Sequence, residues 1–218
     1  MNYTALVTAV SDYTENTFPT ADMNTFIEQA EQRIYNSVQF PSIRKNMTGT
    51  ITSGNKYLSA PNDFLAVYSL AVISGGEYEY LLNKDVNFIR QSYPSPTDTA
   101  IPKYYALFGP TVVSNVITNE LSFILGPTPD ATYTVELHYY YYPESIVTAS
   151  TTWLGDNFDS VLLYGTLVEA ITYMKGEADM VTLYNTKYNE ALALAKRLGD
   201  GMERQDAYRS GQFRQAVT

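Results

Sequence analysis

The chain has 218 residues, a net charge of −9 and no cysteine. Lacking cysteine, it forms no disulfide, thiolate metal site or cysteine nucleophile, and its acidic balance argues against a protein that grips nucleic acid by the phosphates. Hydrophobic residues make up 45% and charged residues 17%, the balance of a folded protein, and no apolar run approaches the roughly 18 residues of a membrane span.

The first residues, MNYTALVTAVSDYTEN, lack the basic start and long apolar core of a signal peptide. Residues 3–14 then read as a short helix, with Leu6, Val7, Val10 and Tyr13 near one face. Phe18-Pro19-Thr20 breaks it, and a second helix starts near Thr20 or Asp22, either of which can cap it. Phe26, Ile27, Ala30, Ile34 and Val38 recur at spacings of three and four. Glu28, Glu31, Gln32 and Arg33 fall on the wetter face, and Pro41 stops the helix.

The period then changes. Residues 47–52 read as a strand, Ser53-Gly54-Asn55 as a turn and 56–59 as the return strand of a hairpin. Residues 67–73 are a stronger strand, turned by Gly75-Gly76 into 77–82, where Tyr78, Tyr80 and Leu82 alternate with Glu77, Glu79 and Leu81. Residues 85–92 read as a short helix capped by Asp85, with Val86, Phe88 and Ile89 inward. Further strands follow at 103–108, 120–125 and 133–142, separated by Gly-Pro pairs. Turn signals at such short intervals predict a small antiparallel sandwich or barrel.

From Asn157 the helical period returns. Phe158, Val161, Leu162, Leu163, Leu167, Val168, Ile171 and Met174 make a helix with little charge, hence buried on most sides, capped by Asp156 or Asn157. A last helix carries Met180, Tyr184, Tyr188, Ala191, Leu192, Ala195 and Leu198, with Gly199 and Gly201 expected to end it. The expectation is an α+β chain: residues 1–42 and 157–201 as a helical bundle, 43–156 as an inserted β-rich module, and 202–218 as an arm.

Charge is spread unevenly. Between residues 60 and 160 eleven acids face three bases (Lys84, Arg90 and Lys103); from Lys196 onward five bases face three acids. Tyrosine is abundant at 20 copies, which suits half-buried sheet surfaces and protein interfaces.

Catalytic constellations are hard to assemble from this inventory. His138 is the only histidine, so one chain offers no histidine cluster for a metal and no histidine pair for a proton relay. No glycine-rich phosphate loop precedes a helix. Glu77 and Glu79 share a strand face; two carboxylates so placed suit either a solvated surface or acid–base work on a glycan. In the run HYYYYP, Tyr139 and Tyr141 continue the Val135–Leu137 face and read as core. Tyr140 and Tyr142 point the other way, toward a neighbouring subunit or a sugar ring. Neither a cofactor nor a metal is expected, and a non-enzymatic structural role fits best. The alternative is a carbohydrate-binding or fibre-attachment β module with a helical anchor.

Four stretches, FIEQAEQRIYNSVQFPSIRKNMTGTITSGNKYL, PNDFLAVYSLAVI, YLLNKDVNFIRQSYP and WLGDNFDSVLLYGTLVEAITYMKGE, together resemble the head–tail adaptor (connector) proteins of tailed bacteriophages, the short-tailed type above all. In PNDF, Pro61 and Asp63 are expected to seat a turn. The resemblance implies a ring, of about twelve copies in that family, sitting between the portal and the tail nozzle of the virion and made in the host cytoplasm. It implies a channel through which DNA passes without sequence-specific binding, no membrane, and tail fibres as a further partner. It also implies a C-terminal segment that docks on the portal, here Arg204, Tyr208, Arg209, Phe213 and Arg214. Acids such as Glu77 and Glu79 would then face the channel or the outer surface.

Overall fold

The computed structural model describes residues 1–113, 116–119 and 121–203, with side chains described outside 111–120 and 200–203. In chain order the elements are α1 (Tyr3–Thr14), α2 (Thr20–Ser37), a 3-10 turn (Pro41–Ile43), β1 (Arg44–Ile51), β2 (Tyr57–Ser59), β3 (Ala66–Ser74), β4 (Glu77–Tyr80), β5 (Leu82–Asn83), α3 (Val86–Ser92), β6 (Tyr104–Phe108), β7 (Thr111–Val113), β8 (Val116–Asn119), β9 (Ser122–Gly126), β10 (Tyr133–Tyr140), α4 (Ile146–Ala149), α5 (Trp153–Asn157), α6 (Asp159–Tyr173) and α7 (Ala178–Glu203). The fold class is α+β. Two compact units form, one from Met1–Ile43 with the residues from Tyr142 onward, the other from Arg44–Tyr141.

The helical unit is built around α6. Nine of its 15 residues are buried, so it has no wet face and must be covered from several sides. α1, α2, α5 and α7 supply that cover. Gly165 is what lets two of them close in: a Cβ there would lie 3.2 Å from the Tyr188 ring and 3.3 Å from the Ala30 Cβ. α2 carries Phe26, Ile27, Ala30 and Ile34 inward as its spacing predicts. It ends at Ser37, short of Pro41, and is preceded by Pro19, which offers no side-chain acceptor to cap it. Asp22 sits in the first turn, where a carboxylate favours the helix dipole.

One assignment on α2 is overturned. Glu31 is 3% exposed. Its carboxylate accepts the Ile146 N–H at 3.0 Å, holding the first turn of α4. Burial raises its pKa; bonds from Ser145 and the Ile146 amide oppose that shift. Two other expected boundaries also move. Asp156 lies inside α5, and Phe158, without a side-chain cap bond, precedes α6. α7 runs through Gly199 and Gly201 to Glu203, because Gly199 sits where a Cβ would meet Val38 at 3.1 Å and the helix gains contact by continuing.

The second unit is a sandwich. One sheet has the order β1-β10-β3-β4, the other β2-β9-β6-β5, and β7 with β8 forms a separate hairpin. A core including Leu70, Val72, Leu137 and Tyr139 from the first sheet and Tyr105, Phe123 and Leu125 from the second lies between them. The expected hairpin of residues 47–59 does not form. β1 pairs with β10 and β2 pairs with β9. The chain changes sheet across the turn at Gly54, so Ile51 and Leu58 reach one core from opposite sides. A second switch occurs at Leu81, which is buried: its N–H reaches Leu70 O at 2.8 Å, while the next N–H, of Leu82, reaches Lys103 O at 2.9 Å. Gly75 and Gly76, at φ +61 and +88, make the tight turn that two-residue hairpin loops require. Asp85 caps α3 as expected, accepting from Asn87 N at 2.8 Å. α3 covers the far face of the second sheet with Ile89 against Ala106 and Ile124, but Phe88 is 40% exposed rather than inward.

Two stability outcomes follow. Phe123→Ala, removing a fully buried ring stacked edge-on against Phe64 and Tyr105, is expected to cost about 3–5 kcal/mol, read by denaturant unfolding. Glu31→Ala strips the Ile146 N–H of its acceptor and is expected to cost about 1–3 kcal/mol. Glu31→Gln keeps an acceptor and removes the charge. Because the folded-state pKa lies above the ordinary 4.5, stability owed to protonated Glu31 is present at low pH and lost as pH rises through that pKa. The melting temperature of Glu31→Gln relative to the native chain should therefore rise from acidic to neutral pH; a flat difference would show that Glu31 is not perturbed.

Candidate interaction surfaces

Strand register assigns the surfaces of the β unit. In β10, Val135, Leu137 and Tyr139 face the core, so Thr134, Glu136, His138 and Tyr140 face outward. Their cross-strand neighbours on that side include Arg44 opposite Tyr140, Asn46 and Ser69 opposite His138, and Thr48 and Ala71 opposite Glu136. Ala71 in turn lies opposite Tyr80, and Ile73 opposite Tyr78. A register shift at His138/Tyr139 leaves Tyr68 as the extra residue of β3 and sets its ring on this outer side. Tyr68 then gathers a cluster: its ring lies 4.8 Å from the His138 ring, 6.0 Å from Tyr140 and 4.8 Å from the Arg44 guanidinium. Beside it Tyr78 and Tyr80 stack at 6.4 Å. Tyr68 and Tyr78 are each 49% exposed and Tyr80 66%.

The sequence points to Tyr140 on this side and misses Tyr68. The outward phase of β10 is legible from alternation, whereas the bulge resets the phase of β3 and alternation cannot see it. Tyr142 belongs to the helical unit, where its hydroxyl donates to Asn36 Oδ1 at 2.5 Å. Tyr139 is fully buried, and Tyr141 packs partly buried against the same core. Glu77 and Glu79 are exposed on β4, the terminal strand of its sheet. Glu79 lies opposite the buried Val72, so the two acids share the inward side but sit at its wet edge. Arg204, Tyr208, Arg209, Phe213 and Arg214 lie outside the described residues.

At the opposite edge, Asp63 does more than the turn expected of it. The turn itself is made by Phe64 N bonding Pro61 O at 3.1 Å. The Asp63 carboxylate meanwhile receives Lys45 Nζ and Tyr139 Oη, each at 2.8 Å. Partial burial pushes the Asp63 carboxyl up, but these two bonds outweigh it and hold it below the usual range. The same bond raises Lys45. On the second sheet, cations sit over rings: Lys56 over Tyr57 at 5.7 Å, Lys84 over Phe88 at 5.5 Å and Arg90 over Phe108 at 5.2 Å. Among the described residues no group of three His, Asp or Glu side chains is placed to hold a metal, and no described helix is long and apolar enough to cross a membrane.

His138 reports directly on the outer cluster. Burial lowers its pKa below 6.5, Arg44 lowers it further, and Glu136 opposes both. As the single histidine, it gives an unambiguous NMR titration, whose midpoint is expected below 6.5. Arg44→Gln should move that midpoint upward; no movement would mean that burial alone sets it.

A comparison with curated proteins finds no match. The family model described as SU10 adaptor protein matches residues 1–215, and the chain belongs to that family.

Proposed function

We propose that the chain is a head–tail adaptor of a short-tailed bacteriophage: a non-enzymatic virion protein, made in the host cytoplasm, whose copies form a ring of about twelve below the portal. The observation that carries this reading is membership of an adaptor family over nearly the whole chain. That membership supports a structural role among other virion proteins; the ring, the portal above it and the nozzle below it are the finer proposal. The exposed tyrosines are consistent with it, since tyrosine, arginine and other aromatics are enriched where proteins meet. So is the acidic balance, because a negative lumen repels phosphates and lets a genome slide. Glu77 and Glu79 are the acids proposed to line the channel or the surface beside it. Tyr140 and Tyr142 are proposed as subunit or tail contacts, and tail fibres as a further partner.

The C-terminal arm is proposed to dock on the portal through Arg204, Tyr208, Arg209, Phe213 and Arg214. Truncation after Glu203 keeps α7 whole. The truncated chain is expected to melt within a few degrees of the full chain and to lose co-sedimentation with the portal ring. Retained binding would remove the arm from the docking role. Failure of the full chain to bind portal would overturn the adaptor reading itself.

A carbohydrate-binding or fibre-attachment module is the second reading, favoured by the exposed rings of Tyr68, Tyr78 and Tyr80. It requires binding on a glycan array that Tyr80→Ala removes.

A further inference from the structure

We infer that copies of this chain meet edge to edge through the β sandwich, β4 of one copy pairing antiparallel with β1 of the next. The inference rests on the ring proposed above and supplies the contact by which it would close. Both strands end their sheet, whose order is β1-β10-β3-β4. A terminal strand presents unpaired N–H and C=O groups along its free side. Neither strand contains proline: β1 reads RKNMTGTI and β4 reads EYEY.

Direction fits. Each neighbouring pair in this sheet is antiparallel, so β4 runs opposite to β1. A second copy set beside the first therefore offers β1 to β4 in the antiparallel sense and continues the sheet.

Charge fits as well. β4 carries Glu77 and Glu79, both exposed. β1 begins with Arg44 and Lys45. Setting Lys45 opposite Glu79 aligns Met47 with Glu77 on the inward side and Arg44 with Tyr80 on the outward side, so the faces match throughout. Opposite charges directly across a strand pair are favourable and like charges are not. Lys45 already serves Asp63, yet its side chain is 48% exposed and an ammonium has three donors. Met47 is 47% exposed and Tyr80 66%, apolar surface that this pairing would cover. Pairing β4 with another β4 sets glutamates against glutamates, so the charges disfavour that two-fold contact and favour β1 as the partner of β4. A contact between two different edges is heterologous, the kind that closes into rings or runs into filaments.

Backbone phase chooses a probe. Leu81 N bonds Leu70 O within the sheet, which by alternation directs the Glu77 and Glu79 amides inward to β3 and those of Tyr78 and Tyr80 outward. Met47 and Glu77 then form a pair without its own hydrogen bonds, with Cα atoms about 4.5 Å apart, within disulfide reach. The native chain has no cysteine, so crosslinks come only from introduced thiols.

The test oxidises Met47→Cys/Glu77→Cys in the full chain mixed with the portal ring, with Met47→Cys/Tyr80→Cys, whose side chains fall on opposite faces, as control. Portal binding is read separately by co-sedimentation. A ladder of dimers, trimers and larger covalent species from the first pair, several-fold above the control, supports the contact. Portal binding without a ladder overturns the contact and leaves the adaptor reading standing. Absence of portal binding overturns the adaptor reading, and the free chain then decides the contact: a ladder at high protein concentration supports it, and none overturns it.

Discussion

The pairing of β1 with β10 is the constraint on which the β unit depends. Arg44, the first residue of the unit, lies opposite Tyr140, one residue before its end. Close to 100 residues are thus closed into one loop with its ends side by side, a long-range contact whose entropic cost rises only slowly with loop length. The pairing is reinforced by chemistry. Lys45 and Tyr139 are cross-strand partners, and both bond the Asp63 carboxylate. One acid therefore ties the first strand, the last strand and the turn before β3 together. The helical unit uses a second acid in a comparable way, Glu31 holding the start of α4 from α2.

The two sheets of the sandwich differ in what covers them. The second sheet is sheltered on its far face by α3, through Ile89 on Ala106 and Ile124. Among the described residues of its unit the first sheet has no such helix, and it carries instead the Tyr68 cluster with Arg44 and His138. An antiparallel sheet with one solvated face normally shows small polar residues there. Large exposed apolar patches mark interaction sites, and the functional proposals concentrate on this face and its two edges.

Much of the fold was legible from period alone. α1 is found with the expected bounds, α2 begins where the Pro19-Thr20 break puts it, and β3 extends the strand read at 67–73 by one residue at each end. What failed did so for identifiable reasons. The hairpin of residues 47–59 was read from a true turn, but both flanking strands found better partners far along the chain, Ile51 opposite Tyr133 and Tyr57 opposite Ile124; turn chemistry fixes a bend and not the partner strand. Glu31 looked wet because it is charged, and only bonds from the distant Ser145 and the Ile146 amide make its burial tolerable. Gly199 and Gly201 looked like a helix end, and packing of Gly199 against Val38 carried α7 past them. The surface was less legible than the fold: Tyr140 follows from alternation, while Tyr68 depends on a bulge.

The tyrosine excess divides along the same line. Tyr105, Tyr139, Tyr184 and Tyr188 are buried, whereas Tyr57, Tyr68, Tyr78, Tyr80 and Tyr173 stand more than 40% exposed. A phenol serves both roles because its body is apolar and its tip is polar. Within the core, Tyr139 places its hydroxyl on Asp63 and Tyr184 on the Tyr13 carbonyl. A surface that keeps tyrosine wet retains area that can be desolvated on contact with little conformational entropy to lose. A protein whose work is to be gripped by neighbours needs such area on a rigid frame and needs no reactive group. Composition alone could count the rings but not sort them into core and surface.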